Sequence, residues 1–227
     1  MKIVWLGQAG LWFEGEKLKV MIDPYLSDSV KEINPKNYRR VLVNNEMFDL
    51  KPDVMIFTHN HLDHYDPETV KMFLGPESGI TVLAPLSVWS EIKKTGGNNN
   101  YVLFDRHTEW TQEDIRFSAV RAVHSDVSAI GVVIEAEGKI YYVTGDTLFN
   151  TDIFCDLPQD IYAVFLPVNG MGNNMNMEDA KRFCEKVNPR FAVPMHCGLF
   201  DEIDMHEFAY ERKVVPEFYQ KIQFNEE

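Results

Sequence analysis

The chain has 227 residues, 45% of them hydrophobic and 25% charged, which is enough apolar material for one sizeable domain over 1–227. A formal net charge of −13 excludes general binding to nucleic acid or to an anionic membrane, since both need a basic surface. Three cysteines (Cys155, Cys184 and Cys197) without CxxC spacing exclude a disulfide framework and a cysteine zinc knuckle, and point to reduced thiols in a cytoplasmic protein. In chain order, residues 2–7, 11–14 and 17–22 read as three strands, with Gly10 and Gly15-Glu16 at the turns. The apolar opening stops at Gly7-Gln8 and Glu14 follows soon after, so it reads as a strand and not as a signal peptide. No apolar run approaches the roughly 18–20 residues needed to span a membrane.

Asp23-Pro24 ends the third strand with a side chain suited to hydrogen-bonding a neighbouring loop. Residues 25–50 carry scattered charge and little periodicity, and read as a long irregular excursion, either a lid or substrate wall or a peripheral insertion. A short β-rich run, 54–57, precedes a helix start with Asp66 as N-cap and Pro67 at the first helical position. Residues 79–84 form a strand and 85–94 a helix, and the turn at 96–100 marks a boundary between two halves. Strands are expected near 101–104, 115–123, 129–135, 140–144 and 161–168. A helix over 177–187 and a strand over 191–194 follow, and the tail from Met205 reads as helical and surface-lying.

The stretch Thr58-His59-Asn60-His61-Leu62-Asp63-His64 holds three histidines and an aspartate in six residues. That spacing fits neither one face of a strand nor one face of a helix, but it suits a loop curled around a cation. A lone histidine is more often structural. Three together, unpartnered, would cost roughly 1–3 kcal/mol per buried unpaired group, so a metal site is the better reading. His124, Asp146 and His196 each follow an apolar strand-like run, where α/β proteins gather functional groups.

The order H-x-H-x-D-H, His, Asp, His resembles the metallo-β-lactamase superfamily of metal-dependent hydrolases, from Ile22-Asp23-Pro24 to Pro194-Met195-His196. The resemblance implies an α/β fold, a four-layer αββα sandwich, with the site at one edge between two sheets. It also implies that His59, His61 and His124 bind one metal, that Asp63, His64 and His196 bind a second, and that Asp146 bridges them. The segments 5–10, 166–170 and 172–180 further resemble the L-ascorbate-6-phosphate lactonase-like branch, whose members often carry His where this chain has Gln8.

Two divalent cations, zinc or manganese with iron also allowed, would then supply a metal-bound hydroxide at neutral pH. No G-x-S-x-G motif offers a serine nucleophile. Asp63 is the candidate proton shuttle as well as a ligand. The Gly- and Asn-rich segment holding Asn169, Gly170, Asn173 and Asn174 is the candidate substrate loop, offering backbone N–H groups to an anion. His107 and His206 lack a motif context, and Cys197 should point away from the site of its neighbour His196. The expected activity is hydrolysis of a small ester, lactone or phosphorylated sugar derivative. Alternatives are a phosphodiesterase acting on a nucleotide or phospholipid headgroup, and a non-catalytic metal-binding protein. The partner is a small molecule, and a homo-oligomer is compatible with the sequence.

Overall fold

Strand segments buried on both faces read as near-continuous apolar runs, and here those runs build two six-stranded sheets. The computed structural model describes residues 1–225, and residues 226 and 227, the end of the expected 1–227 domain, lie outside them. In the first sheet β1 (Lys2–Gly7), β2 (Gly10–Glu14) and β3 (Lys19–Ile22) are antiparallel neighbours. β4 (Val54–Ile56), β5 (Thr81–Ala84) and β6 (Asn100–Leu103) then add in parallel, each beside the last. The second sheet repeats the plan. β7 (Glu109–Gln112), β8 (Ile115–Arg121), β9 (Ile130–Ala136) and β10 (Lys139–Val143) are antiparallel, and β11 (Ala163–Pro167) and β12 (Phe191–Met195) are parallel.

Alternate side chains sort the core into three layers. Trp5, Leu11, Phe13 and Ile22 of the first sheet meet Phe117, Val132, Ile134 and Phe165 of the second, which joins the sheets face to face. On the outer face of the first sheet, Leu6, Met21, Met55 and Val82 pack against Val70 of α2 (Pro67–Phe73) and Val88 and Ile92 of α3 (Leu86–Ile92). On the outer face of the second, Val133, Val164 and Leu166 pack against Ala180, Phe183 and Cys184 of α4 (Met177–Val187). The result is the expected four-layer αββα sandwich. Among the described residues no helix is long and apolar enough to cross a membrane.

Three expectations need correction. β7 escaped the sequence reading because it is a half-exposed edge strand with polar alternation, not an apolar run. The boundary between halves is not at 96–100, because that turn leads into β6, which still belongs to the first sheet. The tail is not a surface helix: among its described residues it holds one short helical turn, Met205–Glu207, and Val215-Pro216 opposes helix beyond it. Instead it runs along the open edges of both sheets. Lys221 bridges Val4 of edge strand β1 and Lys213 bridges Ala192 of edge strand β12, while Phe208 and Ile222 are buried and Phe218 stacks on Trp5 at 4.2 Å. Covering an edge hides backbone groups that would otherwise pair with another chain.

The 25–50 excursion contains a short helix, α1 (Val30–Ile33), and a turn at Asn45–Asp49. It is held to α2 by the buried Asp66, whose carboxylate caps the helix by accepting from the N–H groups of Glu68 and Thr69. The same carboxylate accepts from the Ser29 hydroxyl at 2.9 Å and from the Thr69 hydroxyl, whose oxygen accepts from Leu26 N–H. Asp66→Ala removes the cap and strands two buried hydroxyls. It is expected to cost about 2 kcal/mol and to lower the midpoint of thermal denaturation by about 4–8 °C.

Candidate metal centre

The parallel strands run the same way, so their C-terminal ends gather along one rim. Gln8 follows β1, Asp23 follows β3, the 58–64 loop follows β4, Asp146 follows β10 and His196 follows β12. The backbone turns abruptly at several of these ends: φ is 51° at Gln8, 42° at Asp23 and 65° at His196, left-handed values that non-glycine residues rarely adopt. Gly145 is a position that only glycine fits. Its φ is 60°, and a Cβ there would lie 2.8 Å from the Ile130 carbonyl oxygen and 2.9 Å from Thr58 Cβ. The absence of a side chain lets Asp146 approach the 58–64 loop.

Hydrogen bonds made on the side away from the centre decide which nitrogen each histidine presents. Asp23 is fully buried and accepts from Thr58 N–H at 2.8 Å, from the Thr58 hydroxyl and from His64 Nδ1 at 2.8 Å. Thr58 Oγ1, having donated its proton, accepts from His59 Nδ1 at 3.1 Å. His59 and His64 therefore both carry the Nδ1 proton and turn Nε2 inward. His124 Nδ1 donates to the Asn173 carbonyl at 3.2 Å, which also leaves Nε2 inward. His61 is reversed: its Nε2 meets the Ser125 hydroxyl at 3.1 Å, and its Nδ1 faces His124 Nε2 at 3.1 Å.

The seven sequence-predicted residues fall into two adjoining groups, His59, His61, His124 and Asp146 in one and Asp63, His64 and His196 in the other. In each group the ligating atoms lie within 4.8 Å of one another. Asp146 reaches both groups. Its Oδ1 is 3.2 Å from His64 Nε2 and 3.1 Å from His196 Nε2, and its Oδ2 is 3.9 Å from His124 Nε2. Asp63 Oδ2 is 3.2 Å from His196 Nε2.

The donor set fits divalent cations. His59 Nε2 is buried and lacks a hydrogen-bond partner. His64 Nε2 and His196 Nε2 face each other at 3.1 Å, close enough to share one cation or one proton. Imidazole and carboxylate without thiolate suit first-row cations such as zinc, manganese or iron. Cys197 is no candidate, because its Sγ turns back to the Met195 carbonyl. In the metal-free chain burial disfavours charge on His59 and His124 and lowers both pKa values. Burial also opposes charge on His64 and His196, but the neighbouring carboxylates, Asp146 foremost, outweigh it: His64 is raised well above the usual imidazole range and His196 is pushed up to about 10. Burial disfavours ionised Asp63 and Asp146, yet the facing histidines hold both below the usual carboxylate range.

The centre opens into a cavity of about 410 Å³ lined by His61, Asp63, Asp146 and His196 together with Gln8, Asn169, Asn174 and Asp201. Val30, Asn34 and Asn37 line it too, so the 25–50 excursion forms one wall, and Met171, Gly172 and Phe200 complete it. Of the four substrate-loop residues expected from sequence, Asn169 and Asn174 line the cavity, whereas Gly170 and Asn173 are not among its lining residues. Four of the loop's amides are already engaged. The N–H groups of Gly170, Met171, Asn174 and Met175 donate to Met175 O, Asn169 Oδ1, Met171 O and Thr147 O, respectively. Gln8 and Asp201 escaped the sequence reading as site residues. The only signal was Gln8 in the opening motif, where the lactonase-like branch often has His, and Asp201 gave none.

Two mixed sheets between helices, with a histidine and aspartate cluster at the strand ends, define a metallo-β-lactamase type of protein. A profile described as a beta-lactamase superfamily domain matches residues 2–196. A metal-dependent hydrolase of the UPF0173 family from Methanosarcina mazei is 31% identical, over 94% of this chain and 92% of its own length. The chain thus belongs to the β-lactamase superfamily, within its UPF0173 family of metal-dependent hydrolases. Two solved structures share the fold. The metallo hydrolase Igni18 from Ignicoccus hospitalis has a TM-score of 0.78 and 19% identity, with 100% of this chain and 99% of that one covered. An isothiocyanate hydrolase from Delia radicum gut bacteria has a TM-score of 0.75 and 17% identity, with both chains fully covered at 100%.

Two predictions follow from the geometry. Asp23→Ala, which touches no inward-facing nitrogen, frees the Thr58 hydroxyl and the His59 and His64 tautomers. It is expected to weaken cation affinity by about 10–100-fold, read by competition with a fluorescent chelator. Cation binding needs neutral imidazoles, whereas His64 and His196 hold raised pKa values in the metal-free chain. Loading at pH 7 should therefore release protons, and affinity should climb as pH rises toward about 10, the folded value for His196. Calorimetry in buffers of different ionisation enthalpy measures that release, and a buffer-independent heat would contradict it.

Proposed function

We propose that this chain is a binuclear hydrolase of small esters or lactones, in line with the lactonase-like resemblance of its sequence. The carrying observation is Asp146, whose two oxygens face the two separate groups of candidate ligands. A carboxylate so placed suits two cations sharing a bridge, whereas either group alone would suit one. Two such cations, when bound, polarise a carbonyl or phosphoryl oxygen and lower the pKa of water.

The chain's own residues do the rest. Asp63 lines the cavity, accepts from Gln8 Nε2 at 2.9 Å and stays part-exposed, so it can pass a proton to the leaving oxygen. Gln8 is anchored by its own carbonyl, which accepts from Trp5 Nε1 at 3.0 Å and from His196 N–H at 3.1 Å. It therefore fixes the orientation of Asp63 and the backbone of His196 together. Asn169 Nδ2 lies 3.0 Å from His196 Nδ1 and supports that ring from the far side. The excursion wall and the Met171–Gly172 turn flank the cavity.

The test is metal per chain by elemental analysis after reloading with zinc or manganese, followed by a panel of lactones, esters and bis-p-nitrophenyl phosphate. The reading expects a ratio near two and lactone or ester hydrolysis abolished by chelator. A ratio near one removes the bridging role of Asp146. Preference for the phosphodiester overturns the substrate class, and a ratio near zero overturns the hydrolase reading itself. Asp63→Asn should lower kcat by about 10²–10⁴-fold with little change in KM, and unchanged kcat with metal retained takes Asp63 out of the proton path.

A further inference from the structure

The wall that the 25–50 excursion gives to the cavity is not built on core packing. Its helix α1 contributes no buried residue, yet Val30, Asn34 and Asn37 line the cavity beside the candidate ligands. At its near end the segment is tied down by the Ser29 hydroxyl, which donates to the buried Asp66. At its far end the hub is Arg39. Its Nη1 donates to the Tyr25 carbonyl at 2.8 Å and to the Ser27 carbonyl at 3.4 Å, and its Nε donates to the Val41 carbonyl at 3.3 Å. Nη2 donates to the Tyr219 hydroxyl at 2.5 Å. Guanidinium is the side chain best made for carboxylate, but among the described residues none of these four hydrogen bonds goes to one. The rigid fork gathers three backbone carbonyls of one loop and fixes its shape.

A second, independent observation lies in the tail. Tyr219 N–H donates to the Trp5 carbonyl at 2.8 Å and Trp5 N–H donates to the Gln220 carbonyl at 3.3 Å, so tail and β1 hold each other in both directions. The φ of Tyr219 is 62°, a left-handed value that non-glycine residues rarely adopt, at the tail residue whose hydroxyl reaches the excursion. The wall is closed from within by the same partners. The Asp28 carboxylate accepts from Arg39 N–H at 2.8 Å, and the Tyr25 hydroxyl accepts from Val30 N–H at 3.1 Å. The Tyr25 ring stands edge-on to Phe200, another cavity residue, at 5.6 Å. A displaced Arg39 would therefore be felt at Val30 and Phe200 through Tyr25. Neither Arg39 nor Tyr219 belongs to the two groups of candidate ligands.

We propose that Arg39 and Tyr219 form a latch: the tail, fixed on β1, holds the excursion wall in place and so sets the affinity for substrate without acting on the cations. Both are positioning residues, acting through Tyr25 and Val30. The part that concerns substrate rests on the hydrolase reading above.

Tyr219→Phe tests it, since it removes the acceptor and keeps the ring. Hydrogen exchange of the metal-loaded full chain is followed by mass spectrometry. Peptides spanning 28–41 should exchange about tenfold faster, peptides spanning 54–66 should be unchanged, and metal per chain should stay at the wild-type value. Arg39→Lys keeps the charge and loses the fork, and should loosen the same peptides. On the lactone or ester that the chain hydrolyses, both variants should raise KM about three- to tenfold with kcat within about twofold. Unchanged exchange over 28–41 overturns the latch. Faster exchange over 54–66 as well, or lost metal, overturns it too, because the pair would then support the fold in general. Faster exchange over 28–41 with unchanged KM overturns the role in substrate affinity. If no lactone or ester is hydrolysed, the hydrolase reading fails by itself, and exchange with metal content still decides the latch.

Discussion

Asp23 is a carboxylate taken wholly out of water, and the centre is organised around its partners. An unpaired charge in that position would be destabilising by several kcal/mol, so the fold must bring it donors. It brings the N–H and hydroxyl of Thr58 and the Nδ1 of His64. Their arrival is a matter of sheet register. β3 and β4 pair in parallel with Ile22 opposite Ile56, and Asp23 N–H continues the ladder to the Ile56 carbonyl at 3.0 Å. A slip of one residue would turn Asp23 to the other face and leave Thr58, His59 and His64 without their common acceptor. The tautomers of two candidate ligands are thus set by a strand pairing in the first sheet.

The second sheet is tied to the same point. Ile130 N–H donates to the Thr58 carbonyl at 3.0 Å, and Gly145 sits against both residues with no room for a Cβ. At the other side His196 N–H donates to the Gln8 carbonyl, joining the end of the last strand to the end of the first. Asp126 extends the network, accepting from Asn60 N–H at 3.1 Å, between the first two histidines of the motif, and from the Ser87 hydroxyl. The centre therefore belongs to neither sheet. It sits where their strand ends converge, and the tail from Met205 runs along the outer edges of both sheets.

Much of this was legible in the chain, for identifiable reasons. The H-x-H-x-D-H loop is local, so its meaning needs no fold. His124, Asp146 and His196 could be collected because each follows an apolar run that later proved to be, or to border, a strand. The strands themselves were readable where both faces are buried. The reading failed where the deciding partner is distant. β7 is an edge with polar alternation, and nothing within it marks it as paired. The tail looks amphipathic until the two open edges it covers are in place. In the 169–176 loop the Gly and Asn content suggested free amides, and Thr147, the Asn169 side chain and two of the loop's backbone carbonyls take four of them. Gln8, Asn37 and Asp201 are single polar residues in separate loops, and only the closed sandwich puts them on one cavity.

The hydrogen bonds that orient the candidate ligands lie outside the centre, and the ion pairs inside it do not set the geometry. His59, His64 and His124 are aimed by Thr58, Asp23 and the Asn173 carbonyl, none of which faces a candidate cation. Within the centre the metal-free chain balances charge with protons: Asp63 and Asp146 stay ionised because His64 and His196 hold protons between them. Exchanging those protons for cations keeps the sign of the charge at the middle and leaves every outer hydrogen bond in place. The ring nitrogens then need little reorientation on loading, and the ordering cost is met at folding, by the burial of Asp23 and the close approach at Gly145. This division also explains why a chain with a strongly acidic balance can carry five histidines at one point. The carboxylates that would otherwise repel one another are each faced by an imidazole.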